Sequence, residues 1–471
     1  MIRIALKIAA VVALTIGLLI PLAMIRGVIQ ERSHFRHQAR SDIASSWTGA
    51  QQLFGPVLSV PYTLYGWEKP LDPKTGKPTG EDPVRVVKRQ TRHLIPPREL
   101  RIKSELGTET RRRGLYEVPV YSTKMLLEGT LDTSSLAEIE PGDLEIEFGE
   151  PELVVSVSDN RGIASQPEVV WNQRPLEVNS GSGLPGIPSG VRSPTGEIDL
   201  EGGLYAFHIA LDLRGMERIA FSPVGDDTRV DLTATWPHPS FTGDFLPSEY
   251  EVHESGFTAS WQVSHFATDT AQVLERLLAP EGDHAGQVRG RCFGVSLINP
   301  VDIYQQATRS AKYGVLFIVL TFTAFWLIEF LRKLQLHPVQ YLLVGLSLTI
   351  FFLLLLSLSE HMPFGAAYGI SMAACVGLIG FYMSASLGSL ANSGGVVAAL
   401  SGLYGMLYAI LMSEDNALLM GTLLLFAALA AVMLATRKID WYALSRQLAE
   451  TRKPSPPLGG PGDSTGHVSP S

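Results

Sequence analysis

Only two cysteines, Cys292 and Cys375, occur in 471 residues. The first lies in a polar stretch and the second inside an apolar run, so no intrachain disulfide is expected and a disulfide-stapled scaffold is excluded. Both read as small hydrophobes. The short patterns that announce common chemistry are missing as well. There is no H-E-x-x-H metal pair, no Walker-type phosphate loop and no G-x-S-x-G nucleophile elbow. Positive charge is scarce where a polyanion would need it. Residues 27–310 carry 39 acidic residues against 27 Lys and Arg, a net of about −12, and such a region repels nucleic acid and anionic headgroups. Nucleic-acid binding is not expected.

Charge of either sign is almost absent from two further stretches. Residues 4–25 read IALKIAAVVALTIGLLIPLAMI, with Lys7 as the one charge. At 1.5 Å per residue, about 20 such residues cross the hydrocarbon core. The run ends Pro21-Leu22-Ala23-Met24-Ile25-Arg26, without the alternate small residues of a cleavage site, which predicts an uncleaved anchor rather than a signal peptide. Five more apolar runs follow at 313–331, 341–359, 364–383, 393–412 and 417–436. Backbone groups in lipid must be satisfied internally, so each run predicts a helix and the chain predicts six crossings.

The connections set an expected orientation. Arg332 and Lys333 follow the second run, and Arg437, Lys438 and Arg446 follow the sixth. The opposite side has Glu360 with His361, and Glu414 with Asp415. The positive-inside bias puts both termini in the cytoplasm and the polar region outside. Arg26, Arg32, Arg36 and Arg40 vote the other way against Arg3 and Lys7, and the mutually consistent later connections outvote them.

Residues 27–52 predict helix continuing out of the membrane. Beyond them period-two alternation predicts strands, most cleanly in Leu144-Glu145-Ile146-Glu147-Phe148, then near 153–157, 204–213 and 229–235. Turn signals sit at Glu140-Pro141-Gly142-Asp143 and Asp159-Asn160-Arg161-Gly162. The aperiodic NSGSGLPGIPSG at 179–190 predicts a mobile loop, and Ala271, Leu274, Leu277 and Leu278 predict a short helix stopped by Pro280 and Gly282. The region is large enough for a sizeable core or for two β-rich lobes. Its histidines, His208, His238, His253, His265 and His284, fall singly, and His34 with His37 read as solvated rather than as a metal pair. Asp159 and Asp302 would serve acid–base chemistry only beside a partner, and read first as a turn former and a cap or salt-bridge residue.

In the apolar runs the middles are uncharged. Glu329 lies three and four residues before Arg332 and Lys333, where local pairing suffices. Gly365 with Gly369, Gly394 with Ala398, and Ala398 with Gly402 are small-xxx-small pairs that predict close helix packing. Trp441-Tyr442 reads as an interfacial anchor, and the Pro/Gly/Ser-rich tail beyond Arg452 as disordered.

An ordered string of motifs adds a resemblance. It comprises GPVLSVPY at 55–62, SDNRG at 158–162, NPVDIYQ at 299–305 and RSAKYGVLFIVLTF at 309–322, then HPVQYLLVG at 337–345, LLLLSLSEH at 353–361, GLYGMLYAIL at 402–411, SEDNALLMG at 413–421 and TRKIDWY at 436–442. By these the chain resembles the CreD family of bacterial inner-membrane, cell-envelope proteins across nearly its full length, the tail excepted. The resemblance implies a role in envelope integrity and cell-wall stress, and association with a two-component system and β-lactam response. It carries no catalytic residue onto this chain.

The expected fold class is a multi-pass α-helical membrane protein with a large β-rich extracytoplasmic domain between the first and second transmembrane helices. Its expected divisions are a 1–26 anchor, a 27–310 periplasmic domain, a 311–442 five-helix bundle and a 443–471 cytoplasmic tail. The expected function is an envelope-integrity or envelope-stress-response protein acting through an outer-domain contact with a periplasmic protein or cell-wall component. A transporter of a small or neutral substrate and a membrane-anchored periplasmic enzyme are the alternatives. No enzyme activity, catalytic, cofactor-binding or metal residue, cofactor or nucleic-acid partner is expected; the bilayer is the one certain partner, and oligomeric state stays open. Reporter fusions test the orientation: alkaline phosphatase is expected to be active after Thr235 and inactive after Leu334 and Arg446, and activity at the last two alone would reverse it.

Overall fold

A computed structural model describes residues 2–69, 82–268, 270–278, 291–298, 303–332, 337–387, 390–413 and 416–437. The expectations placed on Pro280, Gly282, His284, Asp302, Lys333, Glu414, Asp415, Trp441, Tyr442 and the tail lie outside these residues. The chain divides into two compact units, Met1–His34 with Val301–Ser471, and Phe35–Pro300.

The first helix, α1, runs unbroken over Ile2–Ser46, so the expected continuation beyond the apolar run is present. The strands that follow are β1 (Gln51–Glu68), β2 (Val84–Ile95), β3 (Pro97–Arg113), β4 (Tyr116–Asp132), β5 (Glu145–Phe148), β6 (Glu152–Val157), β7 (Glu168–Trp171), β8 (Arg174–Leu176) and β9 (Asn179–Ser180). They continue with β10 (Gly190–Pro194), β11 (Leu204–Met216), β12 (Arg218–Phe221), β13 (Asp227–Ala234), β14 (Pro239–Gly243), β15 (Glu249–His253) and β16 (Gly256–Ser264). The short helix α2 (Thr270–Leu277) then precedes β17 (Phe293–Leu297).

Two sheets result. The first runs β14-β17-β12-β1-β6-β10-β9, with β2 and β5 also paired to β1, and the second runs β15-β16-β13-β3-β4-β11-β7-β8. The alternation that builds them is plainest in β3, where Leu100, Ile102, Ser104 and Leu106 are buried between exposed Arg101, Lys103 and Glu105. Their inner faces share one hydrophobic core, from Val57, Leu58 and Val60 of β1 to Leu127 of β4, Val230 of β13 and Trp261 of β16. The region is therefore one sandwiched core and not two lobes. Burying each such side chain stabilises by about 1.5–3 kcal/mol.

The segment after β9 departs from the expected mobile loop. Ser182 and Leu184 are buried, the Ser182 hydroxyl accepts from the Leu184 amide at 3.0 Å, and the Ser156 hydroxyl donates to the Ser189 carbonyl at 2.6 Å. Gly190 closes the segment at φ +139°, where a Cβ would lie 2.1 Å from the Val155 carbonyl oxygen. Side-chain-to-backbone bonds of this kind leave no period in a sequence.

In the other unit the helices are α3 (Ile303–Arg332), α4 (Pro338–Ser359), α5 (Phe364–Leu387), α6 (Leu390–Met412) and α7 (Ala417–Thr436). Five stretches are long and apolar enough to cross a membrane: Ala9–Ser46, Tyr304–Leu327, Pro338–Ser359, Phe364–Ala385 and Gly394–Met412. The sixth expected run also forms a helix, α7, whose Leu418–Leu434 is the shorter apolar stretch. The protein is thus a multi-pass α-helical membrane protein with a large β-rich domain between its first two membrane helices.

Close packing in the bundle falls on one expected glycine, Gly365, where a Cβ would lie 2.9 Å from the Tyr408 hydroxyl, and on others the spacing did not mark. A Cβ on Gly345 would lie 2.2 Å from Leu18, and one on Gly314 would lie 3.0 Å from Leu22, so these two seat α1. Gly369, Gly394 and Gly402 face open space instead. Small-residue spacing marks a smooth helix face, but which face meets a neighbour depends on the whole bundle.

Substitutions in the β core separate burial from mere apolarity. Leu127→Ala, at a fully buried position, is expected to cost about 2–5 kcal/mol. Leu246→Ala, 75% exposed, is expected to stay within about 0.5 kcal/mol. Denaturant unfolding of the detergent-solubilised protein, read by tryptophan fluorescence, compares them.

Candidate functional site

The β-rich unit carries an open groove of about 720 Å³ on its second sheet. Its floor follows from strand register. Asp212 of β11 lies opposite Lys124 of β4, Lys124 opposite Glu105 of β3, Glu105 opposite Thr233 of β13, and Thr233 opposite Thr258 of β16. Directly opposed residues project to the same side, so this row forms one continuous polar strip. The intervening Leu106, Leu213, Ala234 and Phe257 point the other way, into the core. The floor therefore rests on packed side chains.

Hydroxyls and fixed charges line the groove. The β15–β16 turn contributes His253 and Ser255 on one side, and Ala164 stands on the other. Ser165 donates to the Asp212 carboxylate at 2.8 Å. Thr235 accepts from the Thr108 amide at 3.1 Å, with the two hydroxyls 2.8 Å apart. Lys124 and Glu105 face each other across the strands, yet neither belongs to an ion pair among the described residues. Arg214 is held at the groove margin by the Trp47 ring, 5.0 Å from its centroid, while Arg111 covers the same ring at 3.8 Å. Such cation–π contacts fix a guanidinium without neutralising it. The strip thus offers anions and cations in alternation to a polar ligand.

The residues weighed earlier for acid–base or metal chemistry are scattered. Asp159 is the N-cap of a short turn and accepts from the Arg161 amide at 3.0 Å. Its carboxylate also takes the Arg161 guanidinium, with Nη2 at 2.5 Å. That side-chain hydrogen bond holds its pKa below the usual carboxylate value against the opposing effect of burial. The turn-former role is the one observed. His208 sits 3.0 Å from Glu128, His253 3.6 Å from Glu251, and the His265 ring against Phe266. No three of His, Cys, Asp and Glu converge as a metal set among the described residues. Cys292 is buried, and the Arg218 guanidinium donates to its sulfur at 3.3 Å. Desolvation pushes this thiol up, away from reactive thiolate.

The helical unit adds polar groups that sequence spacing understated. Glu329 is buried and accepts from the Tyr341 hydroxyl at 2.8 Å. At the other end of the same helix pair, Glu360 accepts from Tyr304 at 3.2 Å and lies 3.7 Å from Arg32. Arg26 donates to the Ala311 carbonyl at 2.8 Å; within the β-rich unit, Arg40 pairs with Glu217. Three of the arginines that oppose the orientation rule are thereby occupied within the fold. Only the buried aromatic–acid pattern, Tyr at one end of each helix and Glu at the other, signals this arrangement in the sequence.

Replacing Asp159 tests the cap. Its depressed folded pKa means its stabilisation is fully present above about pH 4 and is lost as pH falls through the folded value. Asp159→Ala is expected to cost about 1 kcal/mol at pH 7, and the gap from wild type should close below pH 4 in urea unfolding curves taken across pH.

Comparison with known proteins agrees with the membrane architecture. At the level of solved structures the likeness is slight: an M1 zinc metallopeptidase from Deinococcus radiodurans gives a TM-score of 0.19 at 9% identity, covering 36% of this chain and 38% of that one. The same enzyme bound to a Tyr-Ser-Ala substrate scores 0.18 at 9% identity, covering 36% and 39%. Scores this low imply no common fold or activity. Sequence comparison is far more decisive. The inner membrane protein CreD of Escherichia coli strain K12 is 39% identical over 433 residues, covering 91% of each chain. The family model described as inner membrane protein CreD matches residues 3–442, and the chain belongs to that family.

Proposed function

We propose that this protein maintains envelope integrity by binding a periplasmic protein or cell-wall component through the groove of its β-rich unit. The groove is the observation that carries the reading. Its volume lies within the range of ligand sites, its floor is supported by the core, and its Lys124 and Glu105 are exposed on the outer face. The name of the Escherichia coli relative denotes a membrane protein and no enzyme.

This reading rests on the orientation expected from charge, with the unit over 27–310 in the periplasm, the 311–442 bundle in the membrane and both termini in the cytoplasm. An acidic surface suits an extracytoplasmic position because it is not drawn to anionic headgroups. Envelope stress would then act on the groove, and the bundle would hold the unit at the membrane.

A photo-crosslinking side chain placed at Glu105, Lys124 or Thr258 in intact cells is expected to capture an envelope protein or wall fragment. The same probe at Leu246, which does not line the groove, is expected to capture none. Adducts absent from all three groove positions would sink the proposal.

A further inference from the structure

We propose that the helical unit carries protons across the membrane along a column of buried hydroxyls that ends in a carboxyl group at each face. This goes beyond the groove and is independent of it. The two ends are built alike: Tyr341 of α4 donates to Glu329 of α3, and Tyr304 of α3 donates to Glu360 at the end of α4. From Tyr341 to Glu360 the helix advances about 29 Å at 1.5 Å per residue, close to the roughly 30 Å of a hydrocarbon core. A carboxyl therefore stands at each side of the apolar layer, Glu329 buried and Glu360 half-buried.

Between these ends lie polar atoms that a simple clamp would not need. Gln306 Oε1, Ser310 Oγ and Thr321 Oγ1 of α3, and Ser347 Oγ of α4, are buried without a hydrogen-bond partner among the described residues. Ser310, Thr321 and Ser347 are each at least 93% buried. Ser310 and Thr321 are eleven residues apart, close to three turns, and so share the buried face of α3. The stretch between them is reached by Tyr404 of α6, whose ring meets Phe317 at 4.5 Å and Phe351 at 4.8 Å. Tyr404 is fully buried, with the Cys375 thiol beside it; that thiol donates to the Ser347 carbonyl at 3.4 Å.

A buried hydroxyl without a protein partner is costly and is a place for bound water, which satisfies two to four polar partners at a time. Hydroxyls and waters each donate and accept, so a proton passes by exchange of O–H bonds. One O–H bond forms at the carboxylate of one face as one breaks in the water outside it. The entry carboxyl breaks that O–H bond to the first hydroxyl, each hydroxyl in turn loses one proton as it gains another, and the far carboxylate takes the last proton and releases it to the water outside. The net change is one proton moved with its charge, and ionisable groups within membrane helices are the usual carriers of such movement.

Full-length protein in vesicles of phosphatidylethanolamine and phosphatidylglycerol, with an internal pH dye, tests this. A potassium gradient with valinomycin balances the charge. Protein-dependent acidification is expected, lowered at least about tenfold in Glu329→Gln and in Glu360→Gln and retained in Glu329→Asp. A rate equal to that of protein-free vesicles would overturn the proposal, as would wild-type rates in Gln variants that elute like the native protein. Should those variants fail to fold, Thr321→Val and Tyr404→Phe decide: a lowered rate supports the column, and an unchanged rate rejects it.

Discussion

Charge inside hydrocarbon is costly unless it finds a partner within the protein, and that constraint shapes the charged contacts of the helical unit. Arg26 reaches a backbone carbonyl of α3, Arg32 reaches Glu360, and Glu329 and Glu360 each hold a tyrosine hydroxyl. Tyrosine suits the role because its ring is apolar while its tip is a donor. The pairing also orders the antiparallel helices α3 and α4, since sliding either one by a turn would part a carboxylate from its donor at each end.

A different rule governs the β-rich unit, where water is available on the outer face. Each strand of the second sheet sends alternate residues into the core and into solvent, so Leu106 beneath and Glu105 above are consecutive residues of one rigid strand. The charged strip of the groove is consequently as well positioned as the core it covers. Lys124 and Glu105 stay exposed on the outer face, and Asp212 takes the Ser165 hydroxyl there.

Long apolar runs were the most legible feature, since a run of about 20 residues without charge has few alternatives to a membrane helix. The alternation of Leu144–Phe148 and the Leu274, Leu277 face were also readable, as β5 and α2 show. The groove was not. Its strip joins β11, β4, β3, β13 and β16, positions more than 150 residues apart between Glu105 and Thr258, and only strand register unites them. Glu329 shows what a linear reading leaves out: its nearness to Arg332 in sequence suggests local pairing, while its burial and its bond to Tyr341 come from the neighbouring helix and are visible only in the fold.

The number of crossings bears directly on which compartment the groove faces. If α7 did not cross, Arg437 and Lys438 would share a side with the β-rich unit, and the last connection would break the charge asymmetry that Arg332 and Lys333 establish. The contrary vote of Arg26, Arg32 and Arg40 loses force once their partners are counted. A charge bound to a carbonyl or a carboxylate of the folded protein has a reason for its position besides the retention of free positive charge in the cytoplasm. The exposed apolar side chains of α7, among them Leu418 and Phe426, likewise require a nonaqueous surrounding. Charge asymmetry and surface apolarity are therefore the two arguments behind the proposed orientation, in which α7 joins the five longer apolar stretches as a sixth crossing.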